Sequence, residues 1–155
     1  MKTFLYLLFI FLFQIAIVFC YATSSEKTIE LPRTSLGIGK EHLDVQLATD
    51  TPSRERGLMK RNKLGNNEGM LFVFPHSQQV SFWMKDTQLP LSIAYISGSG
   101  RILEIHDLEP LNEHGVLSCS STVVYALEVA KNWFAEHGIL AGDSVNGLPS
   151  SSSAQ

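Results

Sequence analysis

Cysteine is scarce in this sequence, with Cys20 and Cys119 the two in 155 residues. Basic charge is short too: 12 Lys and Arg stand against 15 Asp and Glu, a net charge of −3. That balance argues against nucleic acid as a partner, because binding it requires a basic surface that displaces counterions. Catalytic signatures are missing: there is no G-x-S-x-G, no H-E-x-x-H and no phosphate-binding P-loop. No internal repeat and no long charge run divides the chain, and its length suits one domain.

One long apolar run is present, Thr3 to Phe19, after a basic start at Lys2. Small residues follow at the positions a signal peptidase reads, so residues 1–22 read as a secretory signal peptide cut after Ala22. The alternative is an uncleaved N-terminal anchor, since the run of about 17 residues sits at the lower limit for crossing a bilayer. Either way the domain is exported, periplasmic or extracellular, and meets the membrane only through this segment. Cleavage would leave Cys119 as a lone thiol, so no internal disulfide is expected.

Residues 23–33 are polar and read as a linker or a loose first strand, and residues 147–155, "GLPSSSSAQ", have the composition of a disordered tail. The folded unit is therefore expected over 34–146. Within it "HLDVQLAT" alternates as a half-buried strand does. Thr51 before Pro52 predicts a helix start, with the helix running from Pro52 to about Lys60. "LSIAYIS" and "RILEIHDL", joined by "GSG", predict a hairpin, and "TVVYALEVA" another strand. Asn132 to His137 reads as a helical turn closed by Gly138. The fold class is mainly β (α+β): a small barrel-like, curled antiparallel sheet with two short helices.

The stretch "VSFWMKDTQLP" carries the chemistry. Strand alternation sends Val80, Phe82 and Met84 to the core and Ser81, Trp83 and Lys85 to the other face. An indole beside an ammonium can stack a ligand ring and hold an anionic group. Asp86 and Thr87 open the following turn. The architectural alternative lays the lysine stem over Trp83 and pairs its charge with Glu128, which faces away from Tyr125, Leu127 and Val129 on its own strand.

Five stretches in series, "RERGLMKR", "GMLFVF", "FWMKDTQLPLSIAYIS", "GRILEI" and "LEVAKNWFAEHGILAGDSV", resemble the domain of unknown function 192 family, a set of small, often exported prokaryotic proteins. The resemblance spans about Leu43 to Val145. It implies a compact β-rich fold with a helix after the first long strand, and no established reaction. The pattern's residues include Arg54, Gly57, Met59, Trp83, Lys85, Thr87 and Glu128. The chain departs from it at Asp86, where the family has Asn, and at Ser92 and Ser97, where it has Asp.

Four functions follow as alternatives. A small-molecule or anionic-ligand site would use Trp83 and Lys85, then Arg54, with Met59, Thr87 and Glu128 around them. An enzyme would need Cys119 with a histidine, or Glu104 with His106. A metal handler would use Met59, Met70 and Met84, which lack Met-x-x-Met clustering. A protein-interaction or structural domain of the cell envelope would use the Trp83 face as an interface. The first is the expectation carried forward, as non-catalytic binding with no cofactor and no metal.

Overall fold

A computed structural model describes residues 30–155 of the chain. The expected signal peptide or anchor therefore lies outside the described residues, and so does most of the expected linker.

Seven strands form one curled sheet: β1 (Arg33–Ile38), β2 (Glu41–Ala48), β3 (Glu68–Gln78), β5 (Leu91–Ser97), β6 (Ile102–Leu108), β8 (Val123–Ala130) and β9 (Val145–Asn146). Their order across the sheet is β6-β5-β8-β3-β2-β1-β9. A separate ribbon pairs β4 (Ser81–Phe82) with β7 (Val116–Leu117). The two short helices are α1 (Thr51–Arg56) and α2 (Trp133–Glu136). The outer edges of the sheet meet at one end. Arg101 bridges Ser144, and Ile102 N–H donates to the Asp143 carbonyl at 2.9 Å. This is the curled, mainly β architecture that the alternation and turn signals predict.

The sheet is not wholly antiparallel as expected, because β2 and β3 run parallel. Parallel neighbours need a crossover, and α1 with the loop after it supplies one. Asp50, not Thr51, caps α1: its side chain accepts Ser53 N–H at 2.7 Å, and Ser53 Oγ returns to Asp50 N–H in a capping box. Gly57 ends the helix with φ +49°, four residues before the expected end.

Each sheet face has its own apolar cluster. One collects Leu36, Val45, Leu71, Ile96 and Leu127, and is covered by Trp133 and Phe134 of α2. The other collects Met70, Phe72, Ile93, Tyr95 and Ala126, and is covered by Leu58, Val80 and Met84. Gly69 lets β3 approach β8 closely, because a Cβ there would stand 2.5 Å from the Glu128 carbonyl oxygen. Ladder register shifts beside Val123 change the alternation of β8. Val123 thus joins Ala126, and Val124 joins Tyr125 and Leu127, the reverse of what strict strand alternation gives these two valines.

The tail is a clear correction. Residues 147–155 are ordered: Ser151–Ser153 form a 3-10 turn, Ala154 is buried, and Gln155 N–H donates to the Thr49 carbonyl at 2.8 Å. Tyr125 Oη donates to the Pro149 carbonyl at 2.7 Å. Serine-rich composition signals disorder only when nothing fixes the chain. Here apolar contact and backbone hydrogen bonds do.

Candidate functional site

Trp83 follows β4 and is turned outward, 49% exposed, while Met84 beside it is buried. The Lys85 Nζ lies 5.5 Å from the Trp83 ring centroid, a cation–π distance. Among the described residues Lys85 makes no ion pair, and neither side chain makes a hydrogen bond to the rest of the domain.

Three main-chain bonds gather the neighbouring loops here. Lys60 N–H donates to the Asp86 carbonyl at 2.7 Å, Leu111 N–H to the Thr87 carbonyl at 3.0 Å, and Met84 N–H to the Asn112 carbonyl at 2.8 Å. Thr87 is buried, and its hydroxyl donates to the Lys85 carbonyl at 3.0 Å. It shapes the turn, with its side chain spent on that turn. Met59 is half-buried beside Leu58 in the segment after α1.

Asp86 has φ +52°. Asn and Asp tolerate this left-handed region best among residues with a side chain, which gives a physical reason for the family's Asn at this place. Asp86→Val is expected to destabilise the domain by roughly 1–2 kcal/mol, and Asp86→Asn to leave it unchanged. Urea midpoints of the two variants check this. Equal loss in both would show that the carboxylate matters and the backbone geometry does not.

Arg54 stands elsewhere. Its guanidinium donates to the carbonyls of Thr49 (2.7 Å), Val73 (3.0 Å) and Gln155 (2.8 Å) and to Thr51 Oγ1 (3.0 Å), and it lies 5.7 Å from the Phe74 centroid. It clips the C-terminal segment to the end of β2 and the middle of β3. The structure therefore does not bring Arg54 to the Trp83–Lys85 pair.

Glu128 does not pair with Lys85 either. It lies mid-sheet between Met70 of β3 and Ile93 of β5, buried, with no ion pair or side-chain hydrogen bond among the described residues. Burial pushes its carboxyl up to about 8, so it is largely protonated at neutral pH. Met70, Glu128, Ile93 and His106 form one row across this face, and Phe72, Ala126, Tyr95 and Glu104 form the next. Burial, then the Glu104 and Glu128 carboxylates, raise the Tyr95 phenol, whose hydroxyl donates to the Val116 carbonyl at 2.6 Å.

The pairs considered for catalysis are partly brought together. His106 Nε2 lies 2.8 Å from Glu104 Oε2. Burial opposes charge on Glu104, but hydrogen bonds from His106 and from the Ser120 and Cys119 N–H groups outweigh it and hold the carboxyl below its usual range. Cys119 meets Glu104 through its main chain, and its thiol is exposed. Among the described residues no group of three His, Cys, Asp or Glu could hold a metal ion.

The departures at Ser92 and Ser97 are accommodated in place. Ser92 Oγ donates to Asp107 Oδ1 at 2.6 Å, so a carboxylate arrives from the paired strand, and it accepts Asn132 N–H at 3.0 Å. Ser97 Oγ accepts Arg101 N–H at 3.1 Å inside the β5–β6 turn.

Sequence reasoning missed Leu111 and Leu117, which are 58% and 55% exposed. Leu117 pairs with Ser81, so the two share the outward face of the ribbon, with Ser81 two residues before Trp83 in the chain. The signal available was two leucines inside an otherwise polar loop, "EPLNEHGVLSCSS".

A family model described as DUF192, an uncharacterised ACR, matches residues 34–147. No curated protein matches the chain. Two crystal structures share the fold. One is a candidate transcription regulator from Sinorhizobium meliloti 1021, 31% identical, with a TM-score of 0.73 over 76% of this chain and 95% of that one. The other is a protein of unknown function from Novosphingobium aromaticivorans DSM 12444, 25% identical, with a TM-score of 0.71 over 77% of this chain and 89% of that one.

Proposed function

The chain belongs to the DUF192 family, and from that premise we propose a non-catalytic binding domain whose Trp83–Lys85 face recognises an anionic ligand. The observation that carries this reading is the pair itself. A tryptophan half in water costs hydration without stabilising the core. The ammonium beside it has no acidic partner among the described residues. Such a pair offers a ring face and a positive charge at one place, as a ligand with a flat or apolar body and an anionic group requires.

The apolar N-terminal run supports the further reading that the domain works after export. The regulator name of the Sinorhizobium meliloti protein is not carried over, because a net charge of −3 gives a nucleic acid little to exchange counterions with.

Phenyl phosphate, which joins a ring to a phosphate, is a suitable probe. At about a hundredfold excess over its dissociation constant it should add roughly 3 kcal/mol of stability, a shift of several degrees in Tm. Trp83→Ala and Lys85→Ala should each lose most of that shift. A wild-type shift that survives in both variants would move the ligand away from this face.

A further inference from the structure

We propose that Glu128 anchors a binding site for an organic ammonium ion, with the rings of Phe72, Phe82 and Tyr95 beside it. The site is independent of the Trp83–Lys85 reading and takes a ligand of the opposite charge.

The carboxyl is unpartnered where that is costly. Glu128 projects from the middle of the sheet between Met70 and Ile93, both fully buried. A buried polar group without a partner costs free energy, and the fold keeps this one. Glu128 is 4% exposed and has no side-chain hydrogen bond, yet among the described residues no fully sealed side-chain oxygen or nitrogen lacks a partner. Its carboxyl oxygens therefore touch water-accessible space within the apolar cluster. β8 leaves room for that space, because the residues on either side of Glu128 on this face are Ala126 and Ala130.

Aromatic rings gather next to the carboxyl. Phe72 of β3 and Tyr95 of β5 are the cross-strand neighbours of Ala126, two residues along β8 from Glu128. Phe82 of the ribbon packs on both, with its centroid 4.7 Å from Phe72 and 5.9 Å from Tyr95. Phe82 is half-buried, so the trio reaches the surface through it. Such rings attract cations electrostatically.

The hydrogen-bond inventory selects the ligand. Neighbouring donors are already spent: the Tyr95 hydroxyl on the Val116 carbonyl at 2.6 Å, and the Thr87 hydroxyl on the Lys85 carbonyl at 3.0 Å. His106 is taken up by Glu104 at 2.8 Å. Acceptors remain, in the Glu128 oxygens and the ring faces. They fit a ligand whose polar end consists of donors and whose body is apolar.

Charge agrees. The titratable groups on this face near Glu128 are Tyr95 on β5 and Glu104 and His106 on β6. On the other side Glu68 of β3 is paired with Arg33 at 3.2 Å, and Gln46 of β2 is bonded to Arg61, so these arginines are engaged two strands away. The covering segments bring Leu58 and Met84 inward, while their Lys60 and Lys85 are exposed. No cation among the described residues is paired with Glu128. A proton takes that place, since burial lifts the carboxyl to about 8. An ammonium ion that enters releases this proton to solvent, and the site is neutral before and after.

The probe is benzylammonium, which joins a ring to an ammonium group. Titration calorimetry of the full chain in two buffers of different ionisation enthalpy counts the protons. The expected result at pH 7 is the release of close to one proton per ligand bound. Apparent affinity should rise about tenfold from pH 6 to pH 7 and level off above pH 8, as Glu128 ionises while the probe stays charged. Glu128→Gln should bind about tenfold more weakly or worse, with no proton release and no pH slope. Phe82→Leu should weaken binding several-fold and keep the proton release. Benzyl alcohol, with the same ring and no charge, should bind far more weakly than benzylammonium. Equal affinity in the parent and Glu128→Gln would overturn the proposal. So would binding to the parent without proton release, a measurement that needs no variant, and so would a failure of benzylammonium to bind.

Discussion

The stability of Glu128→Gln relative to the parent domain is expected to rise by roughly 3 kcal/mol between pH 4.5 and neutral pH. The sign follows from proton counting. The ordinary value of the carboxyl is 4.5, and burial lifts it to about 8 in the fold. Between those values the folded domain keeps a proton that the unfolded chain has lost. Stability from this group is therefore highest below pH 4.5 and declines until about pH 8, where the loss is complete. Glutamine does not titrate, so the variant lacks that slope. Denaturant unfolding of both proteins at pH 4.5 and pH 7.5 gives the difference directly. A constant offset adds to it, because a buried amide also needs partners. A gap that does not change with pH would mean that the carboxyl is solvated or paired in the fold.

Arg54→Ala is expected to cost roughly 2–4 kcal/mol, because it leaves the Thr49, Val73 and Gln155 carbonyls without their donor. It also removes the contact with Phe74. The damage should be local first. Residues 147–155 should become susceptible to protease and exchange their amide protons faster while the rest of the sheet stays folded. Arg54→Lys should recover only part of the loss, since one ammonium cannot supply a planar fork to several carbonyls. Should Arg54→Ala keep its stability and instead lose the phenyl phosphate shift, the arginine is a ligand anchor and the clip has been misread.

These two residues show where sequence reading stops. Alternation in β2, and in β8 from Tyr125 onward, is legible because each side of the strand faces different surroundings, and the β5–β6 hairpin is legible from its glycines. The outward turn of Trp83 follows from the same parity. Arg54 looked like a binding residue because the sequence cannot reveal which carbonyls a distant tail brings to it. The tail itself looked disordered because its anchors, Thr49, Tyr125 and Arg54, are all far away in the chain. Glu128 was placed on the correct side of its strand. Lys85 was its expected partner, but proximity across a sheet depends on strand order, which alternation does not encode. The exposed leucines escaped notice because a loop leucine has no period from which its direction can be read.

The seam at Arg101 and Ser144 bears on how the molecule is made. β1 gains its second neighbour only when Val145 and Asn146 arrive, and the Arg54 fork gains its last acceptor only with Gln155. During synthesis the nascent polypeptide would carry an unguarded strand edge until residues 145–155 clear the ribosome. A truncation that removes them should thus do more than shorten the product: it should leave a sticky edge open to other copies.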